Sequence, residues 1–237
     1  MGLLPVIQHP TFHLTLPSTQ QKINYRPFLV KEEKILLIAQ SSGDQSDIVK
    51  AVKQVVSNCI VDKDIDVNNF TTYDLEYFFI KLRAKSVQNI ISLTYRDNED
   101  DQLYDVEVNL DNVEVMVPEV VSNVVVVDEG SSLKLRHPKV SLIDDAGEIA
   151  NGVDFNFFII QSCIDKIILN NEEHDPSEYS TENLAEYIEN LPVPVYQHIQ
   201  KFIDAMPRVE HVISYTNSNG KKVEITLKTL TDFFMLG

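Results

Sequence analysis

The chain has 237 residues, 43% of them hydrophobic, which is enough apolar material for one large core or two small ones. Its formal net charge of −16 and its pI near 4.7 argue against nucleic-acid binding, because only short basic clusters such as Lys221-Lys222 offset the repulsion. No secretory signal is visible, and no apolar run approaches the roughly 20 residues that cross a bilayer. We therefore expect a soluble, intracellular protein with neither nucleic-acid nor membrane partners.

The N-terminal third predicts a short β-ribbon followed by three helices. Apolar and polar side chains alternate within residues 10–28, with a Pro-Ser-Thr turn in the middle. Apolar residues at helical spacing then predict helices over roughly Leu29–Gln40 and Asp47–Cys59. A third helix is expected after Thr71, because Asp74 follows at the spacing of a capping box.

The middle of the chain reads as extended and rich in valine. Two alternating segments, Ile91–Tyr95 and Tyr104–Leu110, flank a strongly charged turn and predict a β-hairpin. Residues 113–143 stay extended and are broken by proline and glycine into short pieces. Within them, the run Val124–Val127 has two interpretations: a buried strand, or an edge strand that pairs with another chain.

Helical periodicity returns in the C-terminal third. It predicts helices from Phe155 to near Asn170, from Ser180 to Leu191, and from Pro192 to Met206. A second hairpin is expected between Val212 and Leu227, around the turn Asn217–Gly220.

These elements predict an α+β fold in which an extended β segment joins two helical modules, each followed by a β-hairpin. We divide the chain into a ribbon and helical module at 1–90, a β-rich segment at 91–146, and a helical module with its hairpin at 147–237. Residues 71–110 and 194–227 share the order helix then hairpin. That likeness reflects either an internal duplication or a chance resemblance.

The sequence contains no recognisable catalytic constellation, so we predict no catalytic, cofactor-binding or metal-binding residues and a protein that is not an enzyme. Phosphate-binding glycine loops, nucleophile elbows and paired metal-binding histidines are all missing. Cys59 and Cys163 are interpreted as buried, reduced thiols. Asp144-Asp145 with Glu148 lacks the spacing of a calcium loop, and Glu172–Asp175 is expected to be a solvated loop.

Several stretches of the chain resemble a known family. The most specific is Tyr25–Leu37, which reads YRPFLVKEEKILL, preceded by Leu14–Ser18. Three further stretches fit the same pattern: Leu82–Ser86, Gln200–Pro207 and Leu230–Phe234. Together they resemble the baseplate protein family of T4-like phages, whose members are hub subunits or hub assembly factors.

The resemblance implies a non-catalytic protein of the viral tail that contacts other phage baseplate hub proteins. We expect an assembly factor, or chaperone, for hub subunits that acts in the host cytoplasm. The alternatives are a structural hub subunit retained in the virion and, with less support, a tail-associated enzyme. Some members of the family carry cysteine pairs in two hairpins that resemble zinc ribbons. The corresponding turns here, Arg96–Gln102 and Asn217–Lys222, contain no cysteine.

Overall fold

A computed structural model of the protein describes residues 7–142, 153–228 and 230–234. The described chain mixes helices with small antiparallel sheets, which confirms the predicted α+β class. The helices are α1 Val30–Ser42, α2 Gln45–Cys59, α3 Thr72–Ser86, α4 Val153–Cys163, α5 Thr181–Glu189, α6 Val193–Asp204 and α7 Leu230–Phe234. The strands are β1 Phe12–Thr15, β2 Lys22–Tyr25, β3 Ile90–Arg96, β4 Leu103–Asn109, β5 Glu114–Met116, β6 Val124–Val126, β7 Ser131–Leu135, β8 Ile164–Leu169, β9 Glu172–His174, β10 Arg208–Thr216 and β11 Lys222–Leu227. Short 3-10 turns lie at Val67–Asn69, Leu110–Asn112 and Pro176–Glu178.

The chain divides into two compact units. The first unit comprises Met1–Met116 together with Arg208–Gly237, and the second comprises Val117–Pro207. Helix α6 therefore belongs to the second unit, whereas the hairpin β10–β11 that follows it belongs to the first. These boundaries differ from the three segments 1–90, 91–146 and 147–237. That division and the internal duplication stay predictions.

Among its described residues, the first unit combines four helices, α1, α2, α3 and α7, with three small antiparallel sheets. Strand β1 pairs with β2, β3 pairs with β4, and β10 lies between β11 and β5. Helix α3 begins where the sequence predicts, because the Thr71 hydroxyl accepts a hydrogen bond from Asp74 N and the Asp74 carboxylate accepts one from Thr71 N. One core cluster lies between α3 and both longer hairpins. Its members include Ile80, Ala84, Ile91, Leu93, Val106, Val108, Val209, Ile213 and Phe233.

The second unit is a four-stranded antiparallel sheet, ordered β6-β7-β8-β9, with helices packed on one face. Alternation along the strands turns Val125, Leu133 and Ile167 toward those helices. The helices contribute Ile160, Ile188, Val195, Ile199 and Phe202 to the same core. Burying side chains of this size stabilises the unit by about 1.5–3 kcal/mol each relative to leaving them exposed.

One helix prediction is wrong in its second half. Helix α4 ends at Cys163, and Ile164–Leu169 is an inner strand of the sheet instead of the continuation of a helix to Asn170. Isoleucine is favoured in strands because its branched side chain packs well on a pleated surface. Here Ile167 lies opposite Leu133, so pairing with β7 supersedes the local helical periodicity. The predicted loop Glu172–Asp175 likewise begins with the short strand β9.

Candidate functional site

The described residues offer little that resembles catalytic machinery. No group of three or more His, Cys, Asp or Glu side chains within 7–142, 153–228 and 230–234 is placed to hold a metal ion. Cys59 and Cys163 are buried free thiols, and burial raises the pKa of each to about 12. Such thiols are protonated at neutral pH and are poor nucleophiles. The Asp144–Glu148 segment lies outside the described residues.

Asp175, in the acidic segment after β8, has a structural partner. Lys166 Nζ lies 2.9 Å from its Oδ2 atom, and Oδ1 accepts hydrogen bonds from Ser177. These contacts, with Lys166 the largest cause, hold the Asp175 pKa well below its usual range. The Asp175 side chain is thus held in the turn that follows β9.

The stretch Tyr25–Leu37 is organised around a buried ion pair. The Glu32 side chain is fully buried, with Oε1 2.9 Å from Arg26 Nη2 and Oε2 accepting from Leu29 N at 2.8 Å. Arg26 Nη2 also donates to Asn58 O at 2.9 Å. The pair therefore ties the end of β2, the start of α1 and the end of α2 together.

Other stretches that carry the resemblance also contact one another in the first unit. Phe28 N donates to Ser86 Oγ at 2.9 Å, which joins the Tyr25–Leu37 stretch to the end of α3. Ser18 N donates to Asp74 Oδ1 at 3.0 Å, which joins the β1–β2 turn to the start of α3. The resemblance thus lies largely in residues that fix how the elements of this unit pack.

The turns of the two longer hairpins meet in a polar cluster, here called the turn clasp, formed by Asp97, Asp100, Tyr104, Tyr215 and Ser218. The rings of Tyr104 and Tyr215 stack with centroids 4.6 Å apart. Tyr215 Oη donates to the Oδ2 atom of the buried Asp97 at 2.8 Å. Residues 118 positions apart in the chain are joined in this way.

Asp100 is the acceptor at the centre of the turn clasp. Its Oδ2 atom accepts from Ser218 N at 2.9 Å, from Ser218 Oγ at 2.6 Å and from Tyr104 Oη at 2.6 Å. The Ser218 hydroxyl, followed by the Tyr104 hydroxyl, lowers the Asp100 pKa. Lys221 also pairs with Glu99 across the two turns. Hydrogen bonds of the turn clasp therefore connect the two hairpin turns. These are the turns for which the resemblance implies a metal in some relatives, and none of the clasp residues is a cysteine.

The valine run forms an edge strand of the second unit. Strand β6 lies at one end of the sheet and pairs only with β7 among the described strands. Val125 points into the core and is 5% exposed, whereas Val124 and Val126 are 44% and 69% exposed. Val125 is thus buried, as the first interpretation predicts, while its neighbours lie on an edge strand; pairing of that edge with another chain stays a prediction.

The hydrogen bonds of β6 define which backbone groups face outward. Leu135 N donates to Asn123 O at 2.7 Å and Val127 N to Ser131 O at 2.9 Å. Because bonded pairs alternate along an antiparallel ladder, Val125 bonds to β7 while the N–H and C=O of Val124 and Val126 point away. The Ser122 hydroxyl bonds both outward groups of Val124, at 3.1 and 2.9 Å. Among the described residues, the outward N–H and C=O of Val126 make no hydrogen bond.

Helix α1 offers a second apolar surface in the first unit. Val30, Leu37 and Ile38 recur at helical spacing on one face and are 84%, 51% and 68% exposed. The opposite face buries Glu32, Leu36 and Ala39. The exposed residues lie within the Tyr25–Leu37 stretch and just beyond it.

The sequence matches the T4 bacteriophage base plate protein family over residues 9–235. The chain belongs to this family. Searches of curated proteins and of solved structures returned no significant match.

For this baseplate protein, the match spans both units, the turn clasp and the β6 edge. The family resemblance found in the sequence is therefore confirmed at the level of the baseplate. Among the described residues, no helix combines the length and apolar character that a membrane span requires.

Sequence reasoning missed Ser122 altogether. A serine two residues before a valine is a weak signal, since short serine-to-backbone hydrogen bonds form in many turns. Its position beside an edge strand becomes informative only when the order of the strands is known.

Proposed function

We propose that this baseplate protein is a non-catalytic assembly factor for subunits of the baseplate hub. Family membership places it among base plate proteins. The observation that carries the finer proposal is the β6 edge, whose exposed valines and outward backbone groups suit the addition of a strand from a hub protein.

Addition of a partner strand would use the outward groups of Val126 first. Each backbone hydrogen bond gained contributes about 0.5–1.5 kcal/mol net. At Val124 the partner must replace the two hydrogen bonds that Ser122 makes. This partial blocking suits a reversible contact, as expected of a factor that binds and releases hub subunits, and it protects the edge from self-association.

Val126→Pro tests the edge directly. Proline removes the outward N–H of Val126 but leaves the β6–β7 ladder intact, so the fold should persist while partner binding falls at least tenfold. Val126→Thr is the matched control, because it keeps the N–H and the branched side chain. Binding is measured by co-purification with each co-expressed hub protein, and folding by circular dichroism.

A folded Val126→Pro variant that binds hub proteins as well as the wild type would remove the edge from the proposal. The apolar face of α1 would then be the next surface to test. Charge substitution at Val125 is a poorer test than at Val126, since the buried Val125 side chain contributes to the core.

Mass spectrometry of purified virions distinguishes an assembly factor from a structural hub subunit. We expect the protein to be depleted from mature particles relative to hub subunits. Retention in a fixed ratio to those subunits would contradict the assembly-factor proposal and favour a structural role in the tail.

A further inference from the structure

A cleft of about 520 Å³ opens at one end of the second unit's sheet. It lies where the β6–β7 turn and the β8–β9 turn approach the connection between α5 and α6. Its lining residues are Val127, Asp128, Gly130, Ser131, Leu169, Asn170, Tyr187, Asn190, Leu191 and Pro192. The first of these directly follows strand β6, so the cleft is continuous with the proposed docking edge.

The cleft contains side-chain oxygen acceptors from three residues, Asp128, Asn170 and Asn190. Asp128 contributes a carboxylate, which accepts hydrogen bonds from Gly130 N at 2.8 Å and from the Ser131 side chain and keeps its negative charge. Asn170 places its Oδ1 atom next to Gly130, only 3.1 Å from where a Cβ would lie. The side-chain Nδ2 of Asn190 donates a hydrogen bond to Glu186 O at 2.8 Å, and the Oδ1 atom of the same amide is left as an acceptor. The lining includes no lysine, arginine or histidine.

Tyr187 supplies an observation independent of the shape of the cleft. Its hydroxyl is buried, and no hydrogen-bond partner for it exists in the described part of the protein. An unpaired buried hydroxyl destabilises a protein unless a ligand or water satisfies it. Burial, with a further contribution from the Asp128 charge, raises the Tyr187 pKa, which keeps the hydroxyl protonated.

We infer that this cleft binds the guanidinium group of an arginine carried by the docking partner. A guanidinium has five N–H donors in a plane and suits a site that has one carboxylate and several further oxygen acceptors. Val127, Leu191 and Pro192 provide an apolar wall for the aliphatic part of the side chain. The inference rests on the proposed function in one respect: the arginine is taken to belong to the hub protein that docks at β6.

The test uses a small probe, so it does not depend on strand docking. The full-length protein is titrated with N-acetyl-arginine amide, and backbone amide shifts are followed by NMR. We expect saturable shifts at Gly130, Asn170 and Asn190. N-acetyl-citrulline amide, which has a similar shape without the charge, should bind at least fivefold more weakly.

Three variants locate the interaction. Asp128→Asn keeps the acceptor for Gly130 N but removes the charge, and should weaken arginine binding at least fivefold. Glu129→Gln removes the same charge one residue away, from an exposed side chain outside the cleft lining, and should bind like the wild type. Tyr187→Phe should weaken binding at least threefold without lowering the melting temperature, since the hydroxyl has no partner to lose.

Two results would overturn the inference. One is equal binding of the arginine and citrulline probes. The other is an Asp128→Asn affinity that matches that of Glu129→Gln. Either result would remove the cleft alone and leave the β6 edge, which the Val126→Pro experiment tests separately.

Discussion

At the residue scale, the buried charges of the first unit stabilise the fold through specific partners. Glu32 has no contact with solvent, yet its carboxylate is paired with Arg26 and bonded to a backbone N–H. Burial alone would raise the Glu32 pKa, but the Arg26 hydrogen bond and the Leu29 N–H outweigh burial and lower it. The charged form is therefore the one that stabilises the folded protein.

Replacing Arg26 should destabilise the protein strongly. Arg26→Met leaves Glu32 buried without its main partner, and we expect a loss of about 3 kcal/mol in the free energy of unfolding. Lys31→Met is the matched control: Lys31 Nζ lies 3.4 Å from Glu32 Oε1 but its side chain is 69% exposed, so the expected loss is below about 1 kcal/mol. Urea denaturation at pH 7 measures both. Equal losses would show that the ion pair does not hold the first unit.

Glu76 should make the stability of the protein fall as pH rises, which is the opposite of the effect expected from Glu32. Burial raises its pKa from 4.5 to about 7, and it has no hydrogen-bond or ion-pair partner within the described chain. A carboxyl with a raised folded-state pKa contributes stability that is complete below pH 4.5 and is lost as pH rises through 7. Glu76→Gln should therefore be more stable than the wild type at pH 8, by about 2 kcal/mol, and similar to it at pH 4.5.

Urea denaturation at the two pH values tests this prediction for Glu76. Glu107→Gln, at an exposed position on β4, serves as the control and should show no such change between pH 4.5 and 8. A Glu76→Gln variant with the same pH dependence as the wild type would contradict the assignment.

At the element scale, the turn clasp joins two hairpins that local sequence cannot relate. The alternation in Tyr104–Leu110 and the Asn217–Gly220 turn are enough to predict each hairpin. Nothing local predicts that Asp97 will accept a hydrogen bond from Tyr215, because the two residues lie 118 positions apart. The same limit explains the error at Ile164–Leu169, where pairing with β7 decides the structure.

The turn clasp should control the local opening of the two turns. Tyr215→Phe removes the hydrogen bond to the buried Asp97, and we expect amide hydrogen exchange at Glu99 and Ser218 to accelerate about tenfold. Tyr95→Phe is the control, because the Tyr95 hydroxyl takes part in no described hydrogen bond. Unchanged exchange in Tyr215→Phe would mean that the hydrogen bond contributes little to joining the turns.

The clasp also bears on the metal prediction. The expectation that the purified protein holds no tightly bound metal rests on the absence of cysteine from both turns. Elemental analysis after dialysis checks it, and about one zinc per chain would contradict it. The hydrogen bonds of the clasp offer a physical means of joining the turns that needs no ion.

At the scale of the whole molecule, the second unit has what an independent domain requires. Val117–Pro207 is continuous in sequence, and it contains its own four-stranded sheet and its own hydrophobic cluster. We expect a fragment of residues 117–207 to fold alone, with a cooperative thermal transition by circular dichroism and dispersed NMR amide signals. Non-cooperative melting would show that this unit needs the rest of the chain.

The order of the predicted elements is enough to predict the α+β class but not how the segments are grouped. Hydrophobic periodicity identifies most elements, since it depends on neighbouring residues. The return of the chain to the first unit at Arg208 depends on β10 pairing with β5, a contact between residues about 90 positions apart. Likewise, the cleft around Tyr187 is formed by three loops that are separate in the sequence. No single loop has a sequence pattern that predicts the cleft.

The discontinuity of the first unit has a consequence for synthesis on the ribosome. Strand β5 is made before the second unit, but its partner β10 emerges only after Pro207. The second unit is thus complete before the first during translation, because the sheet that contains β5 waits for the residues that follow Pro207. Truncation near the C-terminus should therefore leave Val117–Pro207 resistant to protease while the N-terminal half is degraded.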